Sequence, residues 1–290
     1  MKEIPEQTPL FRAIQSERYA RQEEIRNIEK ITKRRLIVYI TNIRHPAGGI
    51  NRDDIPPFAD ILHDIENVDV DLMIHSAGGD IDVAEKIVYM CRKKAKGLRV
   101  VVPECAKSAA TLIALAAEVI VMGYTSELGP IDPQIIITTP DGKTISRPAK
   151  SFLDGLDKIR KEVEEQGKLP VIYYPLLSQL DPALIDFCDK VIERSKQFAF
   201  KWLSKYMCKH NQAKAKEIAE RLSDVNTYLT HGTVIDNDEA KQLGLKVEVL
   251  EPKNSLWEHF WRLYCKYEIS IRTHKLLKIF ESSKVSISLS

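Results

Sequence analysis

Short apolar runs and segments of helical periodicity alternate through the first half of the chain. The apolar runs predict buried strands at Leu36–Thr41, Val70–His75, Leu98–Pro103 and Glu118–Met122. The segments with apolar residues at helical spacing are Asp54–Glu66, Asp80–Lys94 and Ser108–Ala117. Strands that alternate with helices form a mainly parallel sheet with helical crossovers, and uniformly apolar strands have both faces covered. The pattern therefore predicts an α/β fold.

The second half of the chain is richer in helices. Pro140-Asp141-Gly142 separates two short segments, Ile135–Thr139 and Lys143–Ser146, and this spacing predicts a hairpin. The helices predicted after it are Pro148–Glu165, Pro182–His210, Gln212–Leu222 and Asp238–Leu243, and the last predicted strand is Leu245–Val249.

The two ends of the chain differ in composition from the middle. Residues 1–35 are dense in charge and predict an exposed helical arm, and residues 36–251 form the α/β domain. Residues 252–290 predict an amphipathic extension, with Trp257, Phe260, Trp261 and Tyr264 among charged residues. Such aromatics favour packing against the protein body or a partner subunit over a helix on a membrane surface.

Composition excludes several classes of function. The 43 basic and 41 acidic residues give a net charge of +2 and are spread along the chain, so we expect no nucleic-acid partner. The five cysteines are widely spaced, which fits neither a disulfide framework nor a zinc site. The N-terminus lacks the apolar core of a signal peptide, and no apolar run is long enough to span a membrane. We therefore expect a cytoplasmic protein, with peripheral membrane contact at most.

Chemistry-bearing residues follow three successive predicted strands. His75-Ser76-Ala77-Gly78-Gly79-Asp80 follows the second strand, and its glycines allow close approach to backbone N–H groups. Lys107-Ser108-Ala109-Ala110 follows the third strand and offers a hydroxyl at a helix start. Ser126–Pro133 follows the fourth strand as a stiff loop. Each alone is more typical of an ordinary turn or helix cap, but together they lie at the edge where open α/β sheets bind ligands.

A nucleophilic serine also needs a base. No histidine lies between Ser108 and His210, so a Ser-His-Asp triad requires a distant residue, of which His231 is the best placed. The alternative is a lysine, which acts as a base only when burial holds it neutral. The lysines that follow the stiff loop are Lys143, Lys150 and Lys158.

Five stretches of the sequence resemble the Clp/crotonase-fold peptidases. They are LIVYIT, VDLMIHSAGGDIDVAEKI, VVPECAKSAATLIALAAEVIVMG, SELGPIDPQI and THGTVIDNDEAKQLGLKV, and they cover most of residues 36–249. Their order is most similar to that of the serine dehydrogenase proteinase family, which is related to the Clp proteolytic subunit and signal peptide peptidase A. The resemblance implies a Clp/crotonase-like fold with a helical C-terminal part.

The resemblance also implies roles for individual residues. Ser108 matches the nucleophile, Gly79 and Ala109 match the oxyanion hole, and Gly78 shapes the turn. Clp subunits carry a histidine soon after the serine, but that region is here the loop Leu128-Gly129-Pro130-Ile131-Asp132, which is expected to line the substrate groove. Relatives of signal peptide peptidase A use a lysine on a later helix instead, and Lys150 fits that placement.

The function that these roles imply is that of a serine endopeptidase. A Ser108–Lys150 dyad would hydrolyse peptide bonds of a protein or peptide substrate through an acyl-enzyme. We expect no nicotinamide cofactor, because no Gly-x-Gly-x-x-Gly follows a strand, and this mechanism requires no metal. We also expect a homo-oligomer, with Trp257–Tyr264 as a candidate interface. The alternatives are an inactive scaffold of the same fold and a crotonase-type enzyme acting on acyl-CoA.

Overall fold

The computed structural model describes residues 8–138, 141–178 and 180–290. Contacts divide the chain into two compact units, one of residues 1–128 and 234–290 and the other of residues 129–233. This division differs from the one predicted, because both ends of the chain belong to the first unit. Thr139 and Pro140, which belong to the predicted hairpin, lie outside the described residues.

The strands are short and most belong to the first unit. They are β1 (Arg35–Thr41), β2 (Val68–His75), β3 (Ala95–Val102), β4 (Cys105–Ala106), β5 (Val119–Met122), β6 (Glu127–Leu128), β7 (Gln134–Thr138), β8 (Thr144–Pro148), β9 (Val247–Val249), β10 (Lys278–Ser282) and β11 (Ser286–Leu289). The four strands predicted first and the last predicted strand are present, with small differences at their ends.

The helices alternate with these strands in the first half of the chain. They are α1 (Pro9–Ile14), α2 (Ser16–Thr32), α3 (Ile55–Ile61), α4 (Ile81–Lys94), α5 (Ala109–Leu115), α6 (Ala149–Gln166), α7 (Tyr174–Leu177), α8 (Pro182–Lys205), α9 (Gln212–Leu222), α10 (Asn237–Leu243) and α11 (Ser255–His274). Short 3-10 turns cover Pro46–Gly48 and Arg52–Asp54. In the described part of the chain, no helix is long and apolar enough to cross a membrane.

A seven-stranded sheet forms the centre of the first unit, in the order β11-β10-β1-β2-β3-β5-β9. The pairs β1–β2, β2–β3, β3–β5 and β5–β9 are parallel. The pairs β1–β10 and β10–β11 are antiparallel. The predicted α/β fold with a mainly parallel sheet is therefore confirmed.

Both faces of the sheet are covered because successive strand residues point to opposite sides. Leu36, Val38 and Ile40 of β1 lie in a core cluster with residues of α2 and α11. Tyr39 points to the other face, where its ring contacts Phe58 of α3 at a centroid distance of 5.1 Å. Burial on both faces explains why β1 is apolar throughout.

The C-terminal segment completes this sheet rather than extending from it. Helix α11 ends at His274, and Lys275 follows it in a left-handed conformation. Strand β10 follows, and it was missed because Lys278 and Glu281 interrupt its apolar pattern. Both charges are buried and paired, with Asp54 at 2.6 Å and Arg21 at 2.8 Å. Trp257 and Tyr264 are also buried within this unit, so they are not an exposed interface.

The second unit consists of a hairpin and helices. Strands β7 and β8 pair in antiparallel register, and Ala149 at the start of α6 follows directly. A small core joins the hairpin to α6 and α8, and its buried members are Ile135, Ala149, Cys188 and Ile192.

Candidate active site

Ser108 lies in a strained turn between β4 and α5. Its backbone angles are φ 53° and ψ −119°, which is outside the left-handed helical region that Lys33 and Lys275 occupy. A conformation of this kind costs about 1–3 kcal/mol and persists only where the surroundings enforce it. Ser108 precedes α5, yet its side chain makes no capping hydrogen bond to the helix. The hydroxyl is therefore not used as a helix cap, and Ser108 is partly exposed.

Backbone hydrogen bonds hold this turn against the end of β2. The N–H of Ser76 donates to the carbonyl of Cys105 at 3.1 Å, and the N–H of Lys107 donates to the carbonyl of Ser76 at 2.9 Å. The Lys107 ammonium also pairs with Glu127 at 2.8 Å. The segments after β2 and β3 thus continue side by side beyond the main sheet.

Gly78 lies directly against the serine turn. Its φ is +101°, a conformation that favours glycine. A Cβ atom on Gly78 would lie 2.8 Å from the Cβ of Ser108 and 3.0 Å from the backbone N of Ala109. The N–H of Gly78 itself donates to the Ser76 hydroxyl at 3.1 Å. Gly78 therefore brings the two turns together without offering a free donor.

Gly79 and Ala109 carry the free donors of this site. Ile50 donates to the carbonyl of Gly78 at 2.8 Å and accepts from the N–H of Asp80 at 2.9 Å, which leaves the N–H of Gly79 pointing away from Ile50. The N–H of Ala109 begins α5 and has no intrahelical acceptor. Among the described residues, neither N–H has a hydrogen-bond partner. Two such donors beside a serine can stabilise a developing oxyanion.

A buried carboxylate braces the loop that carries Ile50. Asp54 accepts from the backbone N–H of Asn51 at 3.0 Å and from the Tyr39 hydroxyl at 2.6 Å. The ammonium of Lys278 in β10 donates to its other oxygen at 2.6 Å. Burial, reinforced by the Asp54 carboxylate, raises the pKa of Tyr39 well above its usual value. This network fixes the segment whose backbone holds the Gly78–Gly79 turn.

The loop predicted to line a groove is enclosed. Leu128 pairs with Ala106 in the first unit, and its backbone exchanges hydrogen bonds with Ile235 at 2.8 and 3.1 Å. Its other members belong to the second unit, and every member is buried: Leu128, Gly129, Pro130, Ile131 and Asp132. A role of this loop in substrate contact stays a prediction.

Lys150, the predicted base, lies in the second unit at the start of α6. Its ammonium donates to Asp154 at 2.6 Å, and its side chain is 40% exposed. An ammonium paired with a carboxylate has no lone pair to offer a serine proton, so this ion pair has to open before Lys150 acts. Lys143 is more exposed and pairs with Asp141 at 2.8 Å, and Lys158 is exposed.

The second unit also contains a pair that sequence reasoning did not assemble. The Nδ1 atom of His231 lies 2.7 Å from Asp132, whose other oxygen accepts from Gln134 at 2.8 Å. Asp132 is buried, whereas 28% of the His231 side chain is exposed. A carboxylate that accepts a hydrogen bond from Nδ1 orients the ring, as the buried aspartate does for the histidine of a Ser-His-Asp triad. Both residues lie in motifs noted above, but 99 positions apart, and local spacing cannot reveal such a contact.

One buried cluster in the first unit has the donor types of a metal site. Atoms of His75, Glu104 and Cys105 lie within 4.8 Å of one another. However, Nε2 of His75 and the Glu104 carboxylate are only 2.6 Å apart, whereas two ligands of a tetrahedral zinc ion are separated by about 3.3 Å. Burial, with the nearby Glu104 carboxylate, also raises the pKa of the Cys105 thiol. The cluster therefore fits a hydrogen-bonded pair beside a neutral thiol.

Relatives of this chain are found among proteins of an archaeon. Uncharacterized protein MJ0137 of Methanocaldococcus jannaschii is 33% identical over 184 residues, which are 63% of this chain and 55% of that protein. Uncharacterized protein MJ1495 of the same organism is 29% identical over 188 residues, which are 65% of this chain and 55% of that protein. The chain thus spans about half the length of these curated relatives.

Two solved structures give weaker similarities. A mutant of 1510-N, a membrane-bound stomatin-specific protease, covers 73% of this chain and 79% of its own, at 16% identity and a TM-score of 0.43. ClpP1 from Listeria monocytogenes covers 79% of this chain and 98% of its own, at 15% identity and a TM-score of 0.42. TM-scores below 0.5 do not by themselves establish a shared fold.

The family is established by a match along the sequence. A profile described as ClpP-like SDH-type serine proteinase matches residues 12–275, which is most of the chain. The resemblance drawn from the five motifs is thereby confirmed. The chain belongs to the ClpP-like SDH-type serine proteinase family.

Proposed function

We propose that this protein is a serine peptidase in which Ser108 is the nucleophile. The observation that carries the proposal is the strained turn at Ser108, with an uncapped hydroxyl beside two backbone N–H groups that lack acceptors. Strain of this kind costs stability, and a cap serine in ordinary helix geometry would avoid it. A nucleophile held apart from its helix accounts for the cost.

The reaction proposed is peptide hydrolysis through an acyl-enzyme. A base takes the Ser108 proton as Oγ attacks the scissile carbonyl carbon, and the N–H groups of Gly79 and Ala109 donate to the oxyanion. Each donor of this kind lowers the barrier to acylation by about 3 kcal/mol. The protonated base then gives its proton to the leaving amine, which departs as the C–N bond breaks. A water molecule hydrolyses the resulting ester and restores the serine.

Lys150 is the base in this proposal, once its ion pair with Asp154 opens. His231 is the second candidate, because Asp132 orients its ring and leaves Nε2 as the proton acceptor. Both candidates belong to the second unit, whereas Ser108 belongs to the first. The two alternatives differ in one respect that mutation can test: only one of the two side chains is required for acylation.

The experiment is intact-mass measurement after exposure to a fluorophosphonate probe. The wild type is expected to gain one adduct and Ser108→Ala none. Lys150→Ala is expected to lose the adduct if the dyad operates, and His231→Gln if the histidine is the base. Lys161→Ala is a matched control, because Lys161 lies on the same helix and pairs with Asp157 at 2.8 Å. A wild type that takes no label contradicts the peptidase proposal and favours an inactive scaffold.

Three further properties belong to the same proposal. The substrate is a protein or peptide cut internally, the protein works without metal or cofactor, and it assembles as a homo-oligomer. Because Trp257 and Tyr264 are buried, the oligomer uses another surface. The five cysteines all lie in the described part of the chain and form no disulfide, and four of them are buried, which supports a cytoplasmic location. Light scattering tests the oligomer, and added coenzyme A tests the acyl-CoA alternative.

A further inference from the structure

His75, the last residue of β2, is completely buried and has an acceptor at each ring nitrogen. Its Nδ1 atom lies 3.1 Å from the backbone carbonyl of Thr41. Its Nε2 atom lies 2.6 Å from the Glu104 carboxylate and 3.2 Å from the Tyr264 hydroxyl. His75 is 0% exposed, whereas 36% of the Glu104 side chain reaches the surface.

These contacts determine where the protons lie. A carbonyl oxygen only accepts hydrogen bonds, so Nδ1 carries a proton. The His75 hydrogen bond lowers the pKa of Glu104, so this carboxylate is ionised and also only accepts. Nε2 therefore donates to the carboxylate, and the acceptor of this hydrogen bond is charged. Such charge-assisted hydrogen bonds are short and about twice as strong as neutral ones.

The pair lies at the base of the two turns that form the candidate site. His75 directly precedes Ser76, and Glu104 directly precedes Cys105, and these neighbours share the backbone hydrogen bond of 3.1 Å. The chain leads from there to Gly78 on one side and to Ser108 on the other, where the turns meet again. The His75–Glu104 contact thus joins the two segments just before they reach the contact between Gly78 and Ser108.

We propose that His75 and Glu104 are positioning residues that set the Gly79 donor against the Ser108 nucleophile. The proposal rests on the peptidase function proposed above. Neither side chain touches the substrate in this role. Their loss therefore lowers the rate of acylation, because a misplacement of about 1 Å can cost about 100-fold in rate, while substrate affinity is retained.

The test compares Glu104→Gln with a matched control. Glutamine keeps the length of the side chain but removes the charge, so the His75 ring loses the charged acceptor of its short hydrogen bond. Asp64→Asn is the control, because it removes the carboxylate beside His63, an exposed pair in the same unit. The rate constant for fluorophosphonate acylation, kcat and KM for a peptide substrate, and the urea midpoint are measured for each.

The expected result is an acylation rate and a kcat at least about tenfold lower for Glu104→Gln, with KM unchanged and the native fold retained. A merely structural pair would reduce labelling only in proportion to the unfolded fraction. If folded Glu104→Gln reacts at the wild-type rate, the positioning role is overturned. The peptidase proposal then still stands, provided that Ser108 is labelled. A wild type that takes no label overturns both.

A second measurement does not depend on a variant that folds. Nitrogen-15 NMR of wild type labelled at histidine reports whether each ring nitrogen carries a proton. A proton on Nε2 of His75 at neutral pH supports the hydrogen bond to Glu104, and His75→Gln assigns the signal. An Nε2 atom without a proton overturns the proposal, whatever the activity of the protein.

Discussion

Replacement of Gly78 by alanine is the most direct test of how the site is built. The added Cβ would lie 2.8 Å from both the carbonyl oxygen of Lys107 and the Cβ of Ser108. These neighbours are backbone or the first side-chain atom, so rotation of a flexible side chain cannot relieve the contact. The residue would also have to adopt a φ of +101°.

The magnitude follows from these two effects. A non-glycine residue in the left-handed region costs about 1–2 kcal/mol. Overpacking in a close contact adds about 1–3 kcal/mol. The free energy of unfolding should therefore fall by about 2–5 kcal/mol. Because relief of the clash also moves the N–H of Ala109, acylation of Ser108 should slow by about 100-fold or more, as when one oxyanion donor is removed.

Gly142→Ala separates the two effects. Gly142 has a φ of +79°, but nothing lies within 4 Å of a Cβ placed on it. It should lose about 1–2 kcal/mol from the backbone alone and keep the wild-type acylation rate. The assays are urea unfolding followed by fluorescence and the fluorophosphonate rate constant. Equal losses of stability for Gly78→Ala and Gly142→Ala, with unchanged acylation in both, would refute the proposed contact between the turns.

Other predictions concern the buried charges and the core of the first unit. Lys278→Met leaves the buried carboxylate of Asp54 without its cation and should lower the free energy of unfolding by about 3–5 kcal/mol. Lys284→Met removes an exposed ion pair and should lower it by at most about 1 kcal/mol. Urea titration compares the two variants. Gly123→Ala should lower the melting temperature, because its Cβ would overlap the buried ring of Trp257. An unchanged melting temperature would contradict this packing. The pKa of Glu104 is lowered in the folded state, so its contribution to stability is present above its unfolded pKa and lost as pH falls through the folded pKa. Glu104→Gln should therefore reduce the difference between the urea midpoints at neutral and acidic pH, and an unchanged difference contradicts the pairing.

Much of the first unit could be predicted because its signals are local. Asp80 caps α4 with its own side chain, and Gly244 ends α10 in a left-handed conformation, so both helices begin or end where the sequence indicates. The position of Ser108 at a strand-to-helix junction follows from the same alternation. Its backbone angles do not, because they depend on contact with Gly78.

The features that sequence reasoning missed depend on partners far along the chain. Lys278 looks like a residue of an exposed segment until Asp54 is seen beside it. The pairing of His231 with Asp132 has the same origin, since each residue alone is an unremarkable member of a turn. Lys150 is different, because its partner Asp154 lies only four residues away, at the spacing of an ordinary ion pair within a helix, and the sequence did contain this signal.

The Lys278–Asp54 contact also bears on when the site is completed during synthesis. The two residues are 224 positions apart, so their contact carries a large loop-closure cost and forms late. Until Lys278 has left the ribosome, Asp54 lacks its cation, and the segment that holds the Gly78–Gly79 turn lacks its brace. Ser108 and the donors around it are made long before that point. A nascent chain therefore contains the candidate nucleophile and its neighbouring donors before the contact that fixes their geometry can form.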